Sequence, residues 1–238
     1  MINILYLFTV YFIMNHIIEN LINKRTLWQG RHTPSLEKAM QSGYPELDNQ
    51  LGGGFPTQGV MELQTEIGIG EFRLLFPYLR SRHQEPRMLV YIAPPMMVNS
   101  EMLAAAKIDL DRVLIIQGSD DAENLWSAEQ CLKSGCCHTV LSWQKALHTH
   151  QVKRLQLAAQ KGDALQVLFR PQQACINPLP VTLSLKLSAQ SEGIHVKVNK
   201  RKGNWEKPEF DLNMRTHWPE LVPKRANNVL PFPNVRAI

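Results

Sequence analysis

The chain has 238 residues, of which 44% are apolar, 20% charged and 8% aromatic, a composition that excludes a disordered, collagenous or many-span membrane protein and predicts one sizeable core. Nine of the 26 basic and four of the 21 acidic residues lie from Lys197 onward, leaving 17 of each sign before it. A neutral body with a basic C-terminal segment suits either an acidic partner such as nucleic acid or a solvated tail.

Apolar residues run from Ile2 to Met14, short of the roughly 20 needed to cross a bilayer and without the cationic start of a signal peptide, so no membrane association is expected. An interfacial anchor or a translation start at Met14 accounts for this run. The second is favoured because residues 14–26 read as an amphipathic helix with Ile17, Ile18, Leu21 and Ile22 on one face. This divides the chain into a segment 1–26 (1–13 a misassigned start), a domain 27–204 and a basic, proline-containing tail 205–238.

Within the domain, SGYPELDNQLGGGFPTQG places turns around a small helix carrying Leu47 and Leu51. Buried strands are predicted at Val60 to Gln64, Met88 to Ala93, Val113 to Gln117, Thr139 to Trp143 and Leu165 to Arg170. Helices fall between them at Glu71 to Arg82, Ser100 to Lys107, Asp120 to Ser134 and Thr149 to Lys161. Ser119 and Asp120 supply a cap for the third and Gly135 its stop. The alternation predicts a mostly parallel sheet with helices on both faces. TLSLKLS and IHVKVNK then read as an antiparallel hairpin at the sheet edge, followed by a poorly ordered tail.

Cys131, Cys136, Cys137 and Cys175 contain no C-x-x-C pair, which argues against a zinc site or disulfide framework and suits a reducing cytoplasm. His138, His148 and His150 lack the companions a metal needs. No metal or cofactor is expected.

The stretch VMELQTEIGIGEFRLL has the strand, glycine turn and helix of a phosphate loop. It lacks the lysine and hydroxyl of G-x-x-x-x-G-K-[ST]: Thr65 opens the frame, and Glu71 and Phe72 follow Gly70. A carboxylate at Glu71 would repel phosphate by roughly 4 kcal/mol at 4 Å and an effective dielectric of 20. This stretch, with SGYPELDNQLGGGFPTQGVMEL before it, resembles the nucleotide-binding core of the RecA recombinases. The resemblance would place the water-activating carboxylate near Pro94 and the magnesium-supporting aspartate near Trp143. It therefore implies a RecA-like P-loop fold with a degenerate loop and no enzymatic activity, an active ATPase or recombinase being the disfavoured opposite.

RMLVYIAPP, LWSAEQCLKSG, TVLSW, VKRLQLAAQKGDA and LFRP, across residues 87 to 171, resemble the SulA superfamily of the bacterial SOS response. Its longer branch, the ImuA accessory proteins of translesion DNA synthesis, is similar also at LWQGR (27–31), GIGE (68–71), IAPP (92–95) and LPFP (230–233). That resemblance implies a role in damage-induced mutagenesis, with an ImuB-like polymerase-family protein and an error-prone polymerase as partners, and RecA or DNA as further ones. The shorter branch implies the alternative, a cell-division inhibitor binding FtsZ.

Trp143 is a candidate partner contact or filler of a vacated nucleotide pocket, and Trp126, with Leu125 and Leu132, reads as core. Arg170 suits an anion or a surface ion pair. Lys200, Arg201 and Lys202 are candidate DNA-phosphate contacts or a solvated hairpin end. Leu230, Pro231, Phe232 and Pro233 form a candidate docking peptide.

Overall fold

The computed structural model describes residues 39–172 and 179–219. The helix at 14–26, the start at Met14, LWQGR, Cys175 and the motif at 230–233 lie outside these residues.

Two short strands, β1 (Ala39–Met40) and β2 (Phe55–Pro56), pair antiparallel around helix α1 (Pro45–Leu51). Proline at its first turn starts α1, and Gly52 at φ 59° ends it. Then follow β3 (Gly59–Gln64), α2 (Glu71–Arg82), β4 (Met88–Ile92), α3 (Ser100–Ala105), a 3-10 turn (Leu110–Arg112) and β5 (Val113–Ile116). The chain continues through α4 (Asp121–Ser134), β6 (Cys137–Trp143), α5 (Thr149–Lys161), β7 (Leu165–Arg170), β8 (Leu183–Gln190), β9 (Gly193–Arg201) and β10 (Glu209–Asn213).

The main sheet has the order β10-β9-β8-β3-β7-β6-β4-β5. Neighbours from β8 to β5 run parallel, whereas β9 and β10 are antiparallel additions. The expected mixed α/β fold with a mostly parallel sheet is therefore present. The hairpin does not end it, however. Strand β10 lies outside β9 and inside the segment expected to be tail. Its five residues bury only Leu212, too little alternation to read as a strand.

Alternation along the strands splits the core. Met61, Leu63, Leu89 and Val167 face Leu47, Leu74, Leu79 and Leu103 from α1 to α3. Val60, Val90, Val140 and Leu168 face Leu125, Leu132, Val152 and Leu155 from α4 and α5. Trp126 does not join them: it is 59% exposed, since one residue beyond Leu125 turns about 100° around a helix.

Pro77 inside α2 leaves the carbonyl of Arg73 without its helical donor. The Tyr44 hydroxyl donates to that carbonyl at 2.8 Å and accepts from Trp218 Nε1 at 3.1 Å. This ties the segment after β10 back to α2, where Trp218 also packs on Phe76.

A chain of buried histidines joins α2 to β6. His83 Nε2 lies 3.1 Å from the Asp109 carbonyl, which can only accept, so this nitrogen carries the proton. His83 Nδ1 then accepts from His138 Nε2 at 3.0 Å, and His138 Nδ1 accepts from the Thr139 hydroxyl at 2.9 Å. Burial lowers the pKa of both rings, that of His138 to about 3. Below the ordinary value of 6.5 the unfolded chain binds more protons than the folded one, so stability falls as pH drops through the window between 6.5 and 3. Urea unfolding is expected to show a loss of about 1.3 kcal/mol from His138 between neutral pH and pH 5.5. A His138→Gln variant should lose this component of the slope; an equal pH dependence in both proteins would refute the assignment.

Candidate functional site

The loop between β3 and α2 is folded by its own carboxylate. Gly68 at φ 90° and Gly70 at φ 109° adopt conformations that suit glycine and turn their amides toward one point. Glu71, the first residue of α2, reaches back to that point. Its oxygens accept from Gly68 N at 3.0 and 3.1 Å and from Gly70 N at 3.1 Å, with only 2% of the residue exposed. Successive amides at a helix start form an anion-binding concavity, and here the anion belongs to the chain. Glu71, expected from the sequence only to repel phosphate, is in the structure the ligand of the loop.

Phe72 belongs to an aromatic stack. Trp143 lies face to face with Phe169, centroids 4.8 Å apart and planes at 7°, and Phe72 lies 5.9 Å from Trp143 and 6.4 Å from Tyr91. Trp143 is half-buried in this stack.

Arg170 is buried. Its Nη1 pairs with Glu62 Oε1 at 2.7 Å, with side chains 5% and 3% exposed, rather than at the surface. The register sets Glu62 opposite Ser184, whose hydroxyl donates to Glu62 Oε2 at 2.6 Å, and Gln64 Nε2 donates to the same oxygen at 3.1 Å. Glu62 was not among the residues singled out from sequence. The signal available was a carboxylate inside the otherwise apolar run VMELQ.

Beyond the C-terminal ends of β3 to β7, where parallel α/β sheets place their ligand crevices, lie two adjoining depressions. The larger, about 600 Å³, is bordered by Glu66, Asp120, Asp121, Lys145 and Arg170. The smaller, about 250 Å³, is apolar and lined by Ile67, Phe72, Met96, Met97, Met102 and Trp143, with Pro94 in its wall. Trp143 borders both. Ile67 is 50%, Met96 63% and Met97 97% exposed.

The C-terminal candidates Lys200, Arg201 and Lys202 border one cleft but differ in burial. Lys200 Nζ donates to the Leu179 carbonyl at 3.0 Å, Arg201 is buried and Lys202 exposed. His148 and His150 stack on each other at the exposed start of α5. Among the described residues no helix is long and apolar enough to cross a membrane.

These features define a mixed α/β protein with a mostly parallel sheet and an apolar groove at its strand ends. Residues 62–166 match the family model described as cell division inhibitor SulA. The cell division inhibitor SulA of Pseudomonas aeruginosa is 38% identical over 99 residues, covering 41% of this chain and 62% of that protein. SulA of Photorhabdus laumondii is 33% identical over 100 residues, covering 42% and 56%. The chain thus spans less than two thirds of these relatives. The crystal structure of SulA from Pseudomonas aeruginosa aligns with a TM-score of 0.41 at 35% identity, over 47% of this chain and 97% of that one. The expected translesion-synthesis role, with its polymerase-family partners, is corrected by these matches: the family model and the relatives are division inhibitors.

Proposed function

We propose that the protein is a SulA-like inhibitor of cell division that docks on FtsZ and does not turn over ATP. The observation that carries this reading is the groove of Ile67, Met96, Met97, Met102 and Trp143, which lies wholly within the matched segment 62–166. Exposed apolar patches of this kind mark interaction sites, and methionine adapts to a partner's relief. The Glu71 carboxylate in the amide concavity supports descent from a RecA-like phosphate loop that has lost its ligand.

Overproduction in a rod-shaped bacterium is expected to produce filaments, and purified FtsZ to be retained by the tagged full chain. Met97→Glu should weaken that retention at least 10-fold while leaving the urea midpoint unchanged, because this side chain is almost wholly solvent-exposed. Normal cell length on overproduction of folded protein would remove the reading.

A further inference from the structure

The cleft past the end of β9 is unrelated to the apolar groove and is cationic. About 580 Å³ in volume, it is lined by Asn199, Lys200, Arg201, Lys202, Trp205 and Lys207 among others. Its loop is held in place: Lys202 N donates to the Thr182 carbonyl at 2.8 Å, Asn204 N to the Arg201 carbonyl at 3.2 Å, and Glu206 N to Asn204 Oδ1 at 2.9 Å.

Arg201 is the unusual member. It is 8% exposed, and its Nε has no hydrogen-bond partner among the described residues. The Nη side lies against the C-cap of α1, where a Cβ on Gly52 would meet Nη2 at 2.7 Å. Burial lowers its pKa from the ordinary arginine value, with the Glu206 charge acting in the opposite direction. Among the described residues no carboxylate forms an ion pair with Arg201, and a buried cation so placed is costly unless an anion completes it. Two exposed lysines, Lys202 and Lys207, stand on the same cleft, and so does Trp205, which is 80% exposed.

We infer that this cleft binds single-stranded nucleic acid, with Arg201, Lys202 and Lys207 meeting phosphates and the Trp205 indole stacking on a base. Cations that track a backbone beside an accessible aromatic face are the arrangement single strands require, since a duplex keeps its base faces stacked. The same phosphate chemistry occurs in free phosphate, so the test separates the two.

Anisotropy of a fluorescein-labelled oligothymidylate, titrated with the full chain across a salt series, is the measurement. Saturable binding is expected, with the logarithm of the association constant falling linearly against that of salt. Lys202→Ala with Lys207→Ala should flatten that slope by about 1.4, near 0.7 for each phosphate of the single strand that is no longer neutralised. Trp205→Leu should weaken binding about 5- to 150-fold and leave the slope unchanged. Both variants change exposed side chains, so unaltered thermal unfolding is the folding control. An oligonucleotide that fails to saturate, binding insensitive to both variants, or a duplex bound as tightly as the single strand would each overturn the inference. So would displacement by inorganic phosphate at equal molar concentration, which would define an anion site only. Filamentation by Trp205→Leu should match the parent chain, which separates this site from the division-inhibitor reading.

Discussion

Glu62→Leu is expected to destabilise the fold by about 3–5 kcal/mol, the cost of removing one partner from a buried ion pair. The carboxylate accepts from Arg170, Ser184 and Gln64 inside the sheet. With leucine there, the guanidinium loses its counter-charge in a site 5% exposed, and the Ser184 hydroxyl loses its acceptor. Against a typical total stability of about 5–15 kcal/mol, this is a large fraction. Urea unfolding should register it as a midpoint shift of about 1 M or more at a slope of about 1–3 kcal/mol per M. The double variant Glu62→Leu/Arg170→Met should recover at least half of the loss, because buried pairs tolerate joint replacement by apolar groups far better than single replacement. A single variant costing less than about 1 kcal/mol would show that water reaches the pair and that β3, β7 and β8 are not coupled through it.

That pair also shows where sequence reading stops. The limits of α2 at Glu71 and Arg82, of α5 at Thr149 and Lys161 and of β7 at Leu165 and Arg170 follow from periodicity and breakers, and Asp120 caps α4 through Glu123 N as its residue type implies. Those signals are local. Register is not: nothing in VMELQ or TLSLKLS says that Glu62 will face Ser184, or that a histidine in HQEP will meet one in CCHTV. Strand β6 starts at Cys137, two residues before its apolar run suggests, because Cys137 pairs with Met88 of β4 across a register shift, and the polar His138 inside it finds a side-chain partner 55 positions away. The groove was hidden for another reason. Methionine is common core filler, so the Met96–Met97 doublet gives no sign of exposure; only the turn after β4, with Ala93 at φ 48°, sets those side chains outside the fold. The inhibitor reading was present in the sequence only as one branch of a resemblance, and the motifs at 68–71 and 92–95 pointed to the other branch.

Glu71→Ala is expected to cost about 3 kcal/mol, since charge-assisted hydrogen bonds contribute about 1.5–3 kcal/mol each and two amides, Gly68 and Gly70, lose their acceptor together. Glu71→Gln keeps one oxygen for those amides and should cost about half as much. The effect should extend to the groove, because Ile67 precedes the anchored glycine and Phe72 follows Glu71, and both line the apolar wall. Glu71→Ala should therefore weaken FtsZ retention and stability together, whereas Met97→Glu should change retention alone. A second readout isolates the electrostatics. Removing the carboxylate leaves a concavity of amides suited to a small anion, so inorganic phosphate should raise the thermal midpoint of Glu71→Ala with the logarithm of its concentration above the dissociation constant and leave that of the parent chain unmoved. Equal stabilisation of both proteins by phosphate would mean that the anion acts elsewhere and that Glu71 does not fill the position a phosphate would take.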